Sequence, residues 1–327
     1  AEETEKVKKV KDDHENNLLT KANVTGVDIG YKYVNGEKTD KVAIRVFVEK
    51  KEDVSEKDFI PKEIDGIATD VIETQKIELQ VLKIPVDEPI LQTETRRFDP
   101  LIGGIEIGPC RAINGYLLLG TLGAIVQKEG KKYALSNFHV MGADSNWRKG
   151  DELVQPSRAN GGYCPENVIG KLNDACLTQK YGNIQMQADA AISTITNRSI
   201  SGEILGIGEI KGSSLPVIGK KVRKHGRTTN LTFGSIDGIH ATVTLDYGEG
   251  IGRVTLRNQI SIIPDKRKNT AFSKSGDSGS VIVDENNNVV GLLFAGAGNN
   301  SRTYANIFSE VEQALNISLL SESLIPV

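Results

Sequence analysis

The stretch Ser275-Gly276-Asp277-Ser278-Gly279-Ser280 decides how this chain is interpreted, because it places one serine among glycines and directly after an aspartate. A nucleophilic serine needs a tightly turning backbone that brings amide N–H groups toward a reacting carbonyl, and glycine permits such a turn. The tetrapeptide Gly-Asp-Ser-Gly is weak support alone, since a chain of this length contains it by chance about one time in a hundred. The hypothesis therefore requires a base and a carboxylate elsewhere.

Histidine supplies the base, because a serine hydroxyl is a weak nucleophile without an imidazole beside it. The chain has four histidines. His14 lies in a Lys/Glu-dense stretch, His225 in a basic turn and His240 on a strand face, and these are poor positions for a base. His139 follows the strand-like residues 133–138 and would be held rigidly with one side open. The alternative is a core histidine, but the serine motif favours a catalytic base.

A carboxylate that orients the imidazole should be buried. Asp189 fits this requirement, because it is the single charge in the small, apolar stretch 187–192. Asp144, Asp151 and Asp174 lie in Gly-, Asn- and Lys-rich surroundings typical of loops. Asp277 is too close to the serine along the chain and is expected to have a structural role. The predicted catalytic residues are therefore His139, Asp189 and Ser278, in that order.

The order His–Asp–Ser is that of chymotrypsin-like proteases and differs from that of subtilisins and α/β-hydrolases. Four short motifs resemble those of the bacterial members: Ser136-Asn137-Phe138-His139-Val140, Ala188-Asp189-Ala190-Ala191-Ile192, Gly226-Arg227-Thr228-Thr229 and Gly276-Asp277-Ser278-Gly279-Ser280. Further upstream, residues 24–32, 46–51 and 64–71 are similar to the N-terminal domain of Nal1-like trypsin-like proteins, a group found in bacteria and plants. The chain is thus interpreted as a bacterial Nal1-like protein.

The resemblance implies a serine endopeptidase (a hydrolase) that cleaves peptide bonds through an acyl-enzyme. The backbone N–H groups of Gly276 and Ser278 would form its oxyanion hole. Two alternatives remain open from the sequence, since fold alone does not establish function. One is a non-catalytic protein-binding module on a protease scaffold, and the other is an esterase using the same triad. The expected partner is a protein or peptide substrate, and self-association into a homo-oligomer is a further possibility.

By the same resemblance, the specificity pocket is assigned to Phe272, Ser273, Phe294 and Gly296. Phe272 stands six residues before Ser278. A pocket floored by an aromatic ring has no counter-charge for Lys or Arg, so we expect a preference for small or medium apolar residues. Arg302 opens an alternative, because a guanidinium bordering the pocket would favour acidic residues.

The aspartate before the serine, Asp277, is expected to be ionised and to hold the oxyanion loop. Animal zymogens of the resembled family are cut before a sequence like Ile102-Gly103-Gly104, and the new amine then pairs with this aspartate. Bacterial members usually supply a basic side chain instead. The uncut arrangement is therefore favoured here, and Asp277 is expected to pair with a nearby base or with backbone N–H groups. The candidate bases are Arg223, Lys224 and Arg227.

Composition limits the function classes. The chain has 327 residues, a formal net charge of −3, 38% hydrophobic residues and 33 glycines. A near-neutral charge gives no basic field for nucleic acid, and no apolar run is long enough to span a bilayer. The spacing of Cys and His predicts no zinc site, and no cofactor is expected.

The cysteines bear on the cellular compartment. There are three, which is an odd count and gives no complete disulfide framework. Three free thiols in a reducing compartment are therefore expected, with a Cys164–Cys176 pair as the alternative. This predicts a cytoplasmic location, unless an upstream signal has been removed, since the numbering begins at Ala1 without an initiator Met.

The predicted fold class is mainly β, a double β-barrel protease domain preceded by a small α+β domain. The small domain is placed at residues 1–90, a linker at 91–100 and the barrels at 101–327. A charged, exposed helix is expected at residues 2–19. Asn35-Gly36 is a strong hairpin turn signal between a strand at Val24–Val34 and its return at Lys41–Val48. Residues 142–187 lack periodicity and are interpreted as a long inserted loop.

Overall fold

A computed structural model describes residues 2–88, 96–177, 180–181, 184–185 and 187–320, the side chains of 180–185 excepted. Residues 91–95 of the predicted linker lie outside the described residues. In the described part of the chain, no helix is long and apolar enough to cross a membrane.

The N-terminal segment contains one helix, six strands and a 3-10 turn at Glu56–Asp58. Their bounds are α1 Glu2–Thr20, β1 Val24–Val34, β2 Glu37–Val48, β3 Glu63–Ile64, β4 Ile67–Glu73, β5 Ile77–Leu79 and β6 Leu82–Pro85.

The middle of the chain contains ten strands, one short helix and a 3-10 turn at Arg158–Asn160. Their bounds are β7 Leu101–Gly103, β8 Glu106–Pro109, β9 Tyr116–Thr121, β10 Ala124–Lys128, β11 Lys131–Ser136, α2 Phe138–Met141, β12 Glu152–Val154, β13 Val168–Cys176, β14 Lys180–Tyr181, β15 Ile184–Gln185 and β16 Ala190–Ser193.

The C-terminal part adds ten strands and one helix. Their bounds are β17 Ile200–Ile204, β18 Gly208–Glu209, β19 Gly212–Ser213, β20 Lys221–Gly226, β21 Asn230–Asp246, β22 Arg253–Pro264, β23 Val281–Asp284, β24 Asn288–Ala297, β25 Thr303–Ile307, α3 Phe308–Leu315 and β26 Ser318–Leu319.

Two large sheets form the body of the molecule. In one, the order β20-β23-β24-β25-β22-β21 closes into a barrel, because β20 also pairs with β21. The other has the order β26-β10-β11-β16-β13-β12-β8-β9-β6. Apolar side chains of the closed barrel, such as Ile236, Ile262 and Leu293, are fully buried inside it. The predicted mainly β architecture is therefore observed.

The predicted hairpin is present. Val34 pairs with Glu37 across Asn35-Gly36, and these two residues have φ values of 52° and 81°. Both values lie in the left-handed region that a two-residue hairpin turn requires, and Asn and Gly tolerate it best. The first strand has the predicted bounds, and the return strand begins earlier, at Glu37.

The N-terminal strands do not form a sheet of their own. β1 pairs antiparallel with β21 of the closed barrel and extends its sheet through β2, β4 and β3. Downstream, β5 pairs with β24 of one sheet and β6 with β9 of the other. The segment therefore contacts both barrels along hydrogen-bonded backbone, and its boundary at residue 90 stays a prediction.

The N-terminal helix is less exposed than its charge suggested. Val7 and Leu18 are buried with β1 and β2, and Lys11 and Glu15 are buried beside them. Lys11 Nζ lies 2.7 Å from Glu15 Oε2, and the Thr242 hydroxyl donates to the same carboxylate at 2.7 Å. A charged residue tolerates burial when it is paired and hydrogen-bonded. The expectation of a fully solvated helix is thus wrong for this face.

The cysteine prediction is also wrong. Cys110 and Cys164 form a disulfide across 54 residues of sequence, and Cys176 is a buried thiol. Neither three separate thiols nor a Cys164–Cys176 pair is present. Sequence spacing did not indicate this pair, because β8, β12 and the following loop bring the two cysteines together only in the folded chain. The cytoplasmic location rested on free thiols; it remains a prediction without that support.

Residues 142–187 were expected to be a long loop, but β12 and β13 of this region belong to the sheet that contains β10, β11 and β16. β13 pairs with β16 on one side and with β12 on the other. Its alternation is masked in sequence by polar residues at Lys171, Asn173 and Asp174. β12 and β13 are therefore barrel wall, and β13 helps to hold the strand that follows Asp189, whereas β14 and β15 form a separate two-stranded sheet.

Candidate active site

The three predicted triad residues come from both barrels. His139 lies on the single helical turn α2, directly after β11, rather than at the end of that strand. Asp189 immediately precedes β16, the neighbour of β11 in the same sheet. Ser278 lies in the turn before β23, on the closed barrel. Adjacent strands of one sheet thus place the base beside the acid, and packing between the barrels brings the serine to them.

The structure brings the three side chains into hydrogen-bonding distance. His139 Nε2 lies 2.8 Å from Ser278 Oγ, and His139 Nδ1 lies 2.5 Å from Asp189 Oδ2. All three residues are at most 2% exposed. In this order the carboxylate accepts from Nδ1–H and leaves Nε2 free to accept the serine proton.

One further residue, which the sequence analysis missed, helps to hold the carboxylate of Asp189 in place. The hydroxyl of Tyr247 donates to Asp189 Oδ2 at 2.7 Å, and the backbone N–H of His139 donates to Oδ1 at 3.1 Å. Burial raises the pKa of Tyr247 well above its ordinary value, and the adjacent Asp189 raises it further. The amide of Asn306 accepts from the Asp189 backbone N–H at 3.2 Å. Neither Tyr247 nor Asn306 belongs to a motif that would have identified it.

The predicted oxyanion donors converge on one oxygen atom. The backbone N–H groups of Gly276 and Ser278 donate to the carbonyl oxygen of Gln80 at 2.6 and 3.1 Å. Gly276 has a φ of 104°, and a Cβ there would lie 2.1 Å from the Thr228 hydroxyl. Only glycine therefore fits at this turn. The two N–H groups form a preorganised anion-binding pair, which in this structure holds the chain's own carbonyl.

Asp277 anchors the loop that carries Ser278. Its carboxylate accepts from the backbone N–H groups of Thr228 at 2.9 Å, Thr229 at 3.1 Å and Lys274 at 2.9 Å. The nearest of the three predicted basic partners is Lys224, whose Nζ lies 4.0 Å away. Burial lowers the pKa of Lys224 to about 8, although Asp277 acts in the opposite direction.

The other candidate partners of Asp277 are engaged elsewhere. Arg227 lies 2.6 Å from Glu106, and Arg223 donates to the side chain of Asn287. Ile102 lies within strand β7, which pairs with β17.

The four residues assigned to the pocket lie around the nucleophile loop but differ in surroundings. Phe272 packs inside the closed barrel, and Phe294 packs in the core between the sheets. Ser273 Oγ lies 2.5 Å from Thr303 Oγ1. Gly296 contacts a side chain directly, because a Cβ there would lie 2.0 Å from Gln80 Nε2. The assignment of the pocket stays a prediction. Of its four residues, Gly296 is the one that lies against the side chain of Gln80.

Arg302 does not supply a free charge to this pocket. Its guanidinium is 2.7 Å from Asp237 Oδ2 and donates to the Ser261 hydroxyl at 3.1 Å. Arg302 also lies over the ring of Phe47, 5.4 Å from its centroid. The alternative that Arg302 selects acidic residues is therefore not supported by its position.

The residues that were rejected as catalytic have other partners. His14 lies 2.7 Å from Asp65, His225 3.2 Å from the Gly104 carbonyl oxygen and His240 3.0 Å from Asn258 Oδ1. The three rejected carboxylates also have partners: Asp144 and Asp151 pair with Arg111, and Asp174, which lies on strand β13 rather than in the expected loop, pairs with Lys128. Over the described residues, no cluster of three or more His, Cys, Asp or Glu side chains is arranged to hold a metal ion.

A double β-barrel with serine, histidine and aspartate meeting between the barrels defines a trypsin-like serine protease fold, as the motifs predicted. Residues 168–321, slightly under half of the chain, match the Nal1 C-terminal domain. The resemblance to trypsin-like and Nal1-like proteins is confirmed. Comparison with curated protein sequences found no match.

Several solved structures are similar to this chain. A glutamic acid specific serine protease with a histidine triad in substrate binding is 19% identical, with a TM-score of 0.46, over 67% of this chain and 100% of its own. Protease A of Thermobifida fusca is 16% identical, with a TM-score of 0.46, over 67% of this chain and 98% of its own. The alpha-lytic protease homolog N4 is 21% identical, with a TM-score of 0.46, over 68% of this chain and 100% of its own.

Proposed function

We propose that this protein is a serine endopeptidase that hydrolyses peptide bonds through an acyl-enzyme. The observation that carries the proposal is the continuous hydrogen-bonded array of Ser278, His139 and Asp189, with distances of 2.8 and 2.5 Å. His139 takes the proton from Ser278 as its oxygen attacks a carbonyl carbon. Asp189 holds the imidazole in the tautomer that this step needs.

Charge that develops on the carbonyl oxygen is stabilised by the N–H groups of Gly276 and Ser278. Both already donate to a single carbonyl oxygen, at 2.6 and 3.1 Å, so little reorganisation is needed when the oxyanion forms. The carboxylate of Asp277, with three backbone donors, keeps the loop in this shape.

A peptide is a better substrate than a simple ester for a groove of this kind. Beside the serine, β24 presents backbone groups that pair with an extended chain running antiparallel to it. Such pairing recognises successive amides, which an ester lacks. A non-catalytic binding module would use the same groove, but it would need neither the complete triad nor two oriented oxyanion donors.

The proposal is tested by incubating the protein with an unstructured peptide library and following new termini by mass spectrometry. We expect cleavage by the wild type, and rates lower by roughly 10⁴-fold or more for Ser278→Ala and His139→Ala. Ser55→Ala, the same substitution on an exposed residue of the N-terminal segment, is the matched control. Unchanged cleavage by Ser278→Ala would exclude this mechanism. Matched amide and ester substrates separate a peptidase from an esterase.

A further inference from the structure

Residues 77–82 of this chain lie in its own catalytic groove. Strand β5 runs antiparallel to β24, with Leu79 opposite Ala295 and Glu78 opposite Gly296. The next residue, Gln80, continues this pairing, because its N–H donates to the Phe294 carbonyl oxygen at 3.2 Å. The segment is therefore bound as a strand added to the sheet edge, which is a common mode of peptide recognition.

The carbonyl group of Gln80 occupies the oxyanion site. Its oxygen accepts from Gly276 N–H at 2.6 Å and from Ser278 N–H at 3.1 Å, the two donors of the nucleophile loop. A carbonyl held by these two N–H groups is the one presented to the serine hydroxyl. The bond on its far side joins Gln80 to Val81.

The flanking residues fix this register from both sides. Val81 is buried in the same core as Phe294 and Ile77. Beyond it, β6 pairs antiparallel with β9, with Leu82 opposite Leu119. The chain is thus anchored before and after the Gln80–Val81 bond, on different barrels.

The side chain of Gln80 fills a pocket next to Gly296. Gln80 is 6% exposed, and its Oε1 is buried without a hydrogen-bond partner among the described residues. A Cβ on Gly296 would meet the Gln80 amide at 2.0 Å. A cavity of about 510 Å³ remains beside His139, bordered by Leu79, Val81 and Tyr247.

We propose that Gln80–Val81 is a self-cleavage site, at which the triad hydrolyses the protein's own chain. This inference rests on the proposed peptidase function. Ser278 Oγ bonds to the Gln80 carbonyl carbon while His139 takes the hydroxyl proton. The C–N bond to Val81 then breaks, and His139 gives that proton to the departing nitrogen. Water attacks the resulting ester, and His139 takes one proton from it and passes it to Ser278 Oγ as the ester bond breaks. The new carboxylic acid at Gln80 gives its proton to solvent and leaves as a carboxylate.

The two products remain together after cleavage under native conditions. Residues before the cut are held by β1, which pairs with β21, and by α1, and residues after it by β6. Cleavage therefore shows only when the chain is denatured. Before cleavage, the same segment keeps other peptides from the oxyanion site.

The test compares the intact masses of the wild type and Ser278→Ala after purification and timed incubation at neutral pH. For the wild type, we expect two chains under denaturing conditions, the second beginning at Val81, and for Ser278→Ala a single chain. Mixing Ser278→Ala with catalytic amounts of wild type should leave it intact, because the bond is presented within one molecule. Cutting of the variant in this mixture would overturn the intramolecular step.

Two substitutions sharpen the result. Gln80→Glu keeps the shape of the side chain but places a carboxylate where Oε1 has no partner, so we expect at least tenfold slower self-cleavage. Gln75→Glu makes the same change on an exposed residue five positions upstream and should cleave like the wild type. Equal self-cleavage of Gln80→Glu and wild type would overturn the placement of Gln80 in the pocket.

The peptide library separates failure of this inference from failure of the proposed function. A wild type that stays intact but hydrolyses the library overturns self-cleavage and leaves the peptidase standing. Self-cleavage is also overturned, and the peptidase stands, if an intact wild type leaves the library untouched but Gln80→Glu hydrolyses it. In that variant the chain's own segment binds the groove more weakly and admits other peptides. Intact chains that hydrolyse nothing, in either form, overturn both.

Discussion

At the scale of single residues, the arrangement of Asp189 distinguishes this site. Its carboxylate accepts from His139 Nδ1–H, from the His139 backbone N–H and from the Tyr247 hydroxyl. Each donor restricts the movement of the carboxylate. Of the three donors, the Tyr247 hydroxyl is the one that comes from the closed-barrel side of the site, because Tyr247 directly follows β21. Tyr247 is therefore a positioning residue, which acts on the serine only through Asp189 and His139.

Tyr247→Phe tests this role. Removing one hydrogen bond to a charged group costs about 1.5–3 kcal/mol, so we expect kcat to fall by about 10- to 100-fold, with KM nearly unchanged. The measurement is steady-state hydrolysis of one peptide by wild type and variant. A lower urea midpoint with kcat unchanged would indicate a merely structural role.

At the scale of elements, strand β24 combines a backbone edge with a side-chain pocket. Gly296 lies on this strand, opposite Glu78 of β5, and has no Cβ to obstruct the Gln80 amide. Because residue 296 is a glycine, the pocket beside it has room for the Gln80 side chain. The residue at position 296 therefore limits the length of the side chain that the pocket accepts.

Gly296→Ala should narrow the pocket. The added methyl would lie 2.0 Å from the Gln80 amide, so a long side chain must leave or shift. Among peptides that differ at the residue before the cleaved bond, we expect kcat/KM for glutamine to fall by at least tenfold relative to alanine. The measurement is competitive hydrolysis of the two peptides by wild type and variant. An unchanged ratio would mean that this residue does not line the pocket.

The Cys110–Cys164 disulfide ties the end of β8 to the loop before β13. A closed loop of 54 residues restricts the unfolded chain by an amount worth about 4 kcal/mol. Cys164 is exposed, so a reductant can reach the bond. We expect dithiothreitol to lower the urea midpoint of the wild type, and the double variant Cys110→Ser/Cys164→Ser to be insensitive to it. Equal sensitivity of the two proteins would contradict this pairing.

At the scale of the whole molecule, a buried charge cluster joins the N-terminal strands to the closed barrel. Arg45 on β2 lies 2.8 Å from Asp28 on β1 and 2.6 Å from Asp237 on β21, and Asp237 also pairs with Arg302. All four residues are at most 5% exposed. Removing one partner of such a cluster leaves an uncompensated buried charge and costs about 3–5 kcal/mol.

This cluster makes stability depend on pH in a defined direction. Burial alone would raise the pKa of Asp237, but Arg302 and Arg45 together hold it well below its ordinary value. The stabilisation is thus fully present above the unfolded pKa, near 4, and is lost as pH falls toward the folded value. Urea midpoints should drop between about pH 4 and 2 for the wild type and change less for Asp237→Asn. If the urea midpoints of the two proteins fell equally with pH, Asp237 would be excluded as the source of the pH dependence.

The three residues of the candidate triad and several elements could be predicted from the sequence because their signals are local. The nucleophile motif needs glycine at a positive φ, and the Asn35-Gly36 turn needs residues that tolerate the left-handed region. Asp189 was recognisable because an isolated carboxylate within an apolar stretch must be buried with a partner. In each case the physical constraint acts on neighbours in the chain, so the sequence records it.

Tertiary structure alone decided which distant residues meet. Gln80 reaches the nucleophile loop, Tyr247 reaches Asp189, and Cys110 reaches Cys164, across separations that no local pattern encodes. Alternation of apolar residues reports that one face of a strand is buried, but it does not name the strand that covers it. The sequence by itself therefore determined the chemistry of the site, while the packing of two barrels around an N-terminal strand determined what occupies it.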